Sequence, residues 1–388
     1  MASFALLTEN FPPLVGGGIA EWTIGVANSL ASRGHDVTVY SKWKKRFDPA
    51  LHASRPFRFK TMRGHDWRRW RFLYVLIHGF RFFRDHRDGI LIATTWELGE
   101  AFPWLKRIFP SARLWVIAHG RDITKVKRPE RLRRTLSAAS LTVAVSRFTR
   151  QEILNRLDES STGTILFIPN GVDCARFSPE PKPAGLLTPF GIPEKAKVIL
   201  TLARVVERKA HDTVIRALPA VLADFPDTHY LIAGPEEPRW GEKLRELVRE
   251  LGLSASVHFI GFIPDSNLAD WYRAADVYVM PSRGGGEDSE GFGITFLEAG
   301  ACCVPVIGTD SGGIPDAVVH DETGLLVPPD DPDGLAAAIK RIFDDPNLSK
   351  RLGLAARFRI QRELTWDRVT ERILEAGCVT PAVQSALP

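Results

Sequence analysis

The stretch SEGFGITFLEA places Glu290 and Glu298 eight positions apart, with a Gly-Phe-Gly turn and a short apolar run between them. Two carboxylates at this spacing suit sugar chemistry, either as the acid and nucleophile of a glycosidase or as acceptors of sugar hydroxyl hydrogen bonds. If a helix starts near Ile294, the first-turn N–H groups of Ile294 and Thr295, with those of Phe292 and Gly293, can meet a phosphate. Glu298 then lies about four residues up the helix, roughly 6 Å along its axis. That is about the span from a terminal phosphate to the ribose of the same nucleotide. Carboxylates beside a diphosphate repel it unless hydroxyl donors occupy them, and sugar and ribose rings carry such donors.

Other groups fit the same chemistry. Arg204 and Lys209 in TLARVVERKAHD follow an apolar run where the chain turns into a helix. A forked guanidinium close to an ammonium suits a diphosphate, although a solvated basic turn has the same composition. Gly16, Gly17 and Gly18 follow the first apolar run and allow close backbone approach to an anion; a flexible turn is the plainer reading, and the G-x-G-x-x-G spacing is absent. His119 ends the run RLWVIAH, where a structural histidine and a site histidine are equally compatible with the pattern. The acidic DDPDG at 330–334 precedes LAAAIKRIF and reads as a helix cap rather than a metal motif.

The elements that must hold these residues come in two series. SFALLT, DVTVYS, ILIAT, RLWVIA, LTVAVS and TILFI read as strands, with helices at 19–33 and 129–138 among the segments between them. The Pro/Gly-rich IPNGVDCARFSPEPKPAG at 168–185 interrupts the pattern, and KVILTLA, HYLIAG, SVHFIGF, DVYVM and VPVIGT form a second series. Apolar strands alternating with helices imply parallel sheets covered on both faces. The expected fold class is α/β, two Rossmann-like doubly wound domains facing across a cleft, with ligands at the carboxyl ends of the strands. The expected boundaries are 1–180 and 181–363, with an amphipathic segment at 364–388 crossing back to the first domain.

The length of 388 residues fits two domains, and 44% hydrophobic with 25% charged residues is ordinary globular composition. MASFALLTENFPP lacks a positive leader region and reads as a buried strand, so a cytoplasmic location is expected. The run FLYVLIHGF is too short to span a bilayer. Cys174, Cys302, Cys303 and Cys378 form no disulfide framework or metal spacing and read as buried thiols. Charge is uneven: Lys42 to Arg87 holds 14 Lys/Arg against three acids, a local +11 in a chain of net +5. Arginine interleaved with aromatics over 55–87 suits an anionic lipid surface, a solvated basic face or, by composition alone, nucleic acid.

Over nearly its whole length the chain resembles the retaining glycosyltransferases of family 4, which share the GT-B fold. The resemblance rests on Gly16–Gly18, His119, the linker PNGVD, Arg204 and Lys209 in ARVVERK, the Glu290 to Glu298 motif and TGLLVPPDDP. It implies transfer of a sugar from a nucleoside diphosphate sugar to an acceptor hydroxyl, on a lipid-linked sugar or a cell-surface glycan precursor, with no metal and no cofactor. The first domain would bind the acceptor and the second the nucleotide sugar. Glu290, His119, Arg204 and Lys209 would be catalytic. Gly17 and Gly18 would touch the phosphates, His119 would lie against the donor sugar and Glu298 would hold the ribose. On that division Glu298→Gln should weaken a bare nucleoside diphosphate and Glu290→Gln should not.

Membrane contact at the inner face of the cell membrane through 55–87 is expected, and nucleic acid is not. SRGGGEDSEGFG and EAGACCVPVIG depart from the family's usual text, the first bearing on donor identity and the second on packing. A nucleotide-sugar epimerase of the same architecture, a glycosidase, and a membrane- or nucleic-acid-binding module are the rival readings.

Overall fold

Apolar runs such as SFALLT and KVILTL form strands buried on both faces, as a parallel sheet covered by helices on each side requires. The computed structural model describes residues 1–9, 11, 17–42, 55–62, 67–157, 163–285 and 288–378, with the backbone alone for 67–69. They fall into two compact units, Met1–Gly171 with Trp366–Pro388, and Val172–Thr365. The division lies inside the Pro/Gly-rich loop, ahead of the expected boundary at 180.

The first unit holds β1 (Ser3–Thr8), β2 (Asp36–Lys42), β3 (Arg58–Met62), β4 (Ile90–Ala93), β5 (Arg113–Ala118), β6 (Leu141–Ala144) and β7 (Thr164–Phe167). They form one parallel sheet in the order β3-β2-β1-β4-β5-β6-β7. The second unit holds β8 (Lys197–Leu202), β9 (Thr228–Ala233), β10 (Val257–Gly261), β11 (Val277–Val279), β12 (Val306–Thr309) and β13 (Leu325–Val327). Their order is β10-β9-β8-β11-β12-β13, again parallel. Both sheets reverse winding direction beside their first strand, and a doubly wound sheet opens a crevice at the carboxyl ends there. In the first unit that point lies between β1 and β4, and in the second between β8 and β11. The loops leaving these strands carry Gly17, Thr94 and Glu97 in one unit, and Arg204, Lys209 and Glu290 in the other.

Two edge strands, β3 and β13, were not expected. The RFKTM of β3 alternates exposed and half-buried residues at the sheet margin, and β13 is only three residues long. Neither carries the continuous apolar run that betrays a strand buried on both faces.

The expected closing helix forms over Trp366–Cys378 and belongs to the first unit; the rest of the segment, 379–388, lies outside the described residues. Glycine makes its docking possible. A Cβ on Gly25 would meet the Trp366 ring at 2.1 Å, and one on Gly377 would meet the Trp115 ring at 2.1 Å. Ser29 donates to the Asp367 carboxylate at 2.5 Å across the same contact.

Asp331 caps the helix Pro332–Asp344 by accepting from the Gly334 N–H at 2.9 Å, which supports the capping reading of DDPDG. Of the four cysteines only Cys302 is buried; Cys174 and Cys303 are half-buried and Cys378 is exposed, which corrects the expectation of four buried thiols. Cys303 follows the helix Ile294–Ala301 with φ of 61°, a left-handed position that favours glycine.

Candidate active site

In the second unit, β8 ends at Leu202 and the chain turns at once. Val205 is held by a 2.9 Å bond from its N–H to the Pro235 carbonyl, and its own carbonyl accepts from the Glu237 N–H at 3.0 Å. A short 3-10 turn, Glu207–Lys209, follows, and Ala210 at φ of 52° redirects the chain into the helix His211–Asp224. The Arg283 N–H bonds the Arg208 carbonyl at 2.9 Å. The Arg283 guanidinium also clamps Asp212 at 2.6 Å and Asp330 at 2.8 Å. The turn bearing Arg208 and Lys209 is therefore fixed from two sides.

Glu290 reaches this turn from the loop after β11. Its carbonyl accepts from the Gly313 N–H at 2.8 Å, and Gly312 passes so close that a Cβ there would lie 2.5 Å from that oxygen. The carboxylate oxygen Oε2 sits 2.5 Å from Arg208 Nη1 and 2.5 Å from Lys209 Nζ. Burial alone would raise the Glu290 carboxyl, but the charges and hydrogen bonds of Lys209 and Arg208 hold it down at about 2. Burial pushes the Lys209 ammonium down to about 8, with Glu290 pulling it up and Arg208 and Arg204 pushing it further down. Arg208 and Lys209 thus face Glu290, Arg208 Nε lies 3.9 Å from the partly exposed Asp288, and the charge of Arg204 is felt at Lys209. The site gathers cations suited to an anion.

The helix Ile294–Ala301 begins where expected, with Gly293 as its cap at φ of 92° and no side-chain cap on the first turn. The N–H groups of that turn belong to Ile294, Thr295 and Phe296, the last bonding the Gly293 carbonyl at 3.1 Å. Glu298 on the same helix is 6% exposed, and Tyr272 donates to its Oε2 at 2.6 Å. Its carboxylate is thereby oriented by a side chain from the helix Leu268–Ala274.

Arg208 is not among the expected residues. Its only signal was adjacency to Lys209 in VVERK, where one of two neighbouring cations normally points to solvent.

In the first unit, Gly17 caps the helix Gly18–Ser32 at φ of 113°, a conformation only glycine adopts without strain. Gly16 lies outside the described residues. His119 follows β5, its ring edge-on to Trp22 with centroids 6.2 Å apart. A ring nitrogen bonds the Thr94 backbone carbonyl, while Nε2 is buried with no partner among the described residues. Nδ1 is therefore the donor and Nε2 the bare acceptor. Burial pushes the ring down to about 4 against the opposing Thr94 bond, so it is neutral at physiological pH. Asp122 and Glu97 lie beside it, neither of them expected. Each carboxyl is raised by burial first, Asp122 to about 8 with Glu97 as a further cause.

The arginines of 55–87 divide into two kinds. Some serve the fold: Arg71 pairs with Glu9 at 3.0 Å and Glu100 at 3.7 Å, Arg58 pairs with Asp36, and Arg55 lies over the Phe11 and Phe57 rings at 5.5 and 5.8 Å. The helix Trp67–Asp85 nevertheless exposes Trp70 (45%), Leu73, Ile77 and Phe80, and the neighbouring helix Phe102–Ile108 exposes Trp104 (52%). Among the described residues no helix is long and apolar enough to cross a membrane, and no group of three or more His, Cys, Asp or Glu could hold a metal ion.

Comparison with known proteins agrees with this geometry. Residues 16–176 match the family described as Glycosyltransferase Family 4, and residues 188–359 the family described as Glycosyl transferases group 1. The chain is 31% identical over 387 residues to a GDP-mannose-dependent alpha-(1-6)-phosphatidylinositol monomannoside mannosyltransferase of Mycobacterium tuberculosis, covering 97% of this chain and 98% of that protein. It is 30% identical over 319 residues to a D-inositol 3-phosphate glycosyltransferase of Kineococcus radiotolerans, covering 78% and 71% of the two chains. The fold is shared with Anabaena HepE in complex with UDP, at TM-score 0.77, 20% identity and coverage of 97% and 99%. It is shared equally with sucrose-phosphate synthase from Thermosynechococcus elongatus, at TM-score 0.77, 23% identity and coverage of 97% and 98%. Two Rossmann-like units, a glycine-capped helix beside a cation cluster, and full-length similarity to sugar-transferring enzymes lead to one assignment: the chain is a GT-B glycosyltransferase and belongs to glycosyltransferase family 4.

Proposed function

We propose that this enzyme transfers a mannosyl group from GDP-mannose, with retention and without a metal, to a hydroxyl of an inositol-phosphate-bearing lipid at the inner face of the cell membrane. One observation carries the donor half: Arg208 and Lys209 converge on Glu290 at the switch point of the second sheet, with Arg204 near enough for its charge to act on Lys209, a cation cluster suited to a diphosphate. The relatives support the choice of mannose and of inositol phosphate, since one set is described as GDP-mannose-dependent and both sets by acceptors of that class.

The second unit holds the donor. Arg204, Arg208, Lys209 and the first-turn N–H groups of the helix Ile294–Ala301 bind the diphosphate, and Glu298, oriented by Tyr272, takes the ribose hydroxyls. As the bond to the anomeric carbon breaks, negative charge grows on the leaving diphosphate, and these groups stabilise it in place. Glu290, displaced from the cations it holds in the free enzyme, turns to the hydroxyls of the sugar. The first unit holds the acceptor. Gly17 and Gly18 present main-chain N–H groups there, and the bare Nε2 of His119 accepts from a sugar hydroxyl. The leaving diphosphate takes the proton of the attacking hydroxyl, which needs no enzyme nucleophile.

The exposed Trp70, Leu73, Ile77, Phe80 and Trp104, among arginines, rest on anionic lipid. Pelleting with anionic vesicles should fall with salt and with Trp70→Glu and Phe80→Glu; equal pelleting of variant and parent would remove this part of the reading.

The test of the whole is incubation with GDP-mannose and phosphatidylinositol mannoside in anionic vesicles containing EDTA. An α-linked product is expected. Turnover only with another nucleotide sugar would reassign the donor. Activity restored only by manganese or magnesium would overturn metal independence. An epimerised nucleotide sugar formed without acceptor would replace the transferase.

A further inference from the structure

His119 owes its position to a turn that the sequence makes tight. Gly120 adopts φ of 101° and ψ of −74°, which only glycine tolerates, and the four-residue helix Arg121–Thr124 follows at once. Asp122 closes this turn from within. Its Oδ1 accepts from the His119 N–H at 2.9 Å, and the N–H groups of Gly120 and of Asp122 itself also bond the carboxyl. The Asp122 carbonyl is tied in turn to the Trp96 indole N–H at 2.7 Å. Two buried polar atoms of this turn, His119 Nε2 and Asp122 Oδ2, have no partner among the described residues. An unpartnered buried polar atom is costly unless a ligand completes it.

We infer that Asp122 is a positioning residue for the transfer reaction: its carboxyl holds the Gly120 turn and thereby aims the bare Nε2 of His119 at a substrate hydroxyl. The inference rests on the reading of His119 as a hydroxyl acceptor. Neutrality of the carboxyl follows from the surroundings. Glu97 faces Asp122 from the 3-10 segment Trp96–Ala101, with Arg71 and Glu9 in turn facing Glu97, and His119 itself is uncharged. Burial first, then Glu97, pushes the Asp122 carboxyl up to about 8, against the three N–H bonds that favour its charged form, so the neutral form predominates at neutral pH. An amide reproduces a protonated carboxyl here, since its oxygen accepts from the His119 N–H while its NH2 donates.

Three variants of the full chain test this, Asp122→Asn, Asp122→Ala and His119→Ala, with a first readout that needs no substrate. In 15N-histidine spectra, His119 should stay neutral with bare Nε2 from pH 5 to pH 9 in the parent and in Asp122→Asn. In Asp122→Ala the opened turn should let the ring titrate nearer the ordinary histidine range. In turnover of GDP-mannose, Asp122→Ala should lower kcat on the order of tenfold to a hundredfold with little change in donor KM, as for a displaced reacting group. Asp122→Asn should restore kcat.

The pH dependence has a definite sign. An aspartate whose folded pKa is raised stabilises the fold at low pH, and that contribution is lost as pH rises from its ordinary value through about 8. Asp122→Asn should therefore melt above the parent by a margin that grows from pH 5 to pH 9. Unchanged His119 titration in Asp122→Ala, or Asp122→Asn as impaired as Asp122→Ala, would overturn the inference. If His119→Ala leaves kcat unchanged, the reading of His119 fails; if His119→Ala is slow and Asp122→Ala is not, only the role of Asp122 fails.

Discussion

The two sheets end in opposite electrostatic settings. After β8 and β11 the side chains are ionised: Glu290 is held at about 2 by Lys209 and Arg208 against its burial, and both cations meet its Oε2. After β4 and β5 they are kept neutral, with His119 pushed down to about 4 and Asp122 up to about 8 by burial. The same topology serves both, because a doubly wound sheet fixes where loops converge and leaves their chemistry open. A preformed cation cluster suits a diphosphate, whereas unpartnered neutral groups suit hydroxyls. In the proposed function, the difference is one between binding a charged leaving group and orienting an uncharged hydroxyl.

The largest effect that would break this contrast lies at Lys209. Lys209→Ala should lower kcat/KM for the nucleotide sugar by about a hundredfold to a thousandfold, the range for removing one charged stabiliser of a leaving group. Steady-state kinetics checks it, and a loss confined to KM would mean that the ammonium binds donor and transition state alike.

Glu290→Gln comes next, and its sign departs from the sequence expectation. Glu290 was expected to leave nucleoside diphosphate affinity untouched, yet its carboxylate occupies the two cations that would meet the phosphates. Removing that competitor should tighten the bare nucleoside diphosphate a few-fold while kcat falls about tenfold or more through lost sugar contacts. Calorimetry with kinetics separates the two effects, and weaker binding would show that Glu290 supports the phosphates directly.

The contrast sharpens with pH. Lys209, held near 8, has a folded pKa below the ordinary lysine value, so deprotonation begins close to neutrality. A diphosphate favours the ammonium, so its affinity should be level below pH 7.5 and fall by up to about tenfold per unit above pH 8, with proton uptake between. His119 adds no step near pH 6.5 because burial keeps it neutral. A histidine-like inflection in donor binding would contradict that.

The smallest effect concerns the background to both sites. Cys303 occupies a left-handed position with φ of 61° just past the helix of Glu298. Cys303→Gly should stabilise the protein by about 1 kcal/mol without altering kcat. Thermal melting measures it, and a lower melting temperature would mean that the thiol's packing outweighs its backbone strain.

Much of this was legible in the sequence because parallel strands buried on both faces leave continuous apolar runs. β1, β2 and β5 are clear on that basis, while β3 and β13, at sheet edges, carry weaker patterns. The start of the Glu298 helix was equally legible, since Gly293 followed by ITFLEA marks a capped turn. The pairing of Glu290 with Arg208 and Lys209 was not. It joins residues about eighty positions apart through the Gly312 turn, and spacing cannot tell whether a carboxylate meets a sugar or a cation. Asp122 was hidden differently: an aspartate in the first turn of a helix, two residues past a glycine, ordinarily reads as a solvated cap, and only burial beside Glu97 distinguishes it.

The central claim, that the charged cluster of the second unit is the diphosphate site, is tested most directly by calorimetric titration of GDP into the full-length protein, its Lys209→Ala variant and its His119→Ala variant at pH 7. The predicted result is a loss of about tenfold or more for Lys209→Ala, the size of a lost charge-assisted hydrogen bond, and unchanged affinity for His119→Ala. Equal affinity in the parent and Lys209→Ala, or a larger loss in His119→Ala, would contradict the account.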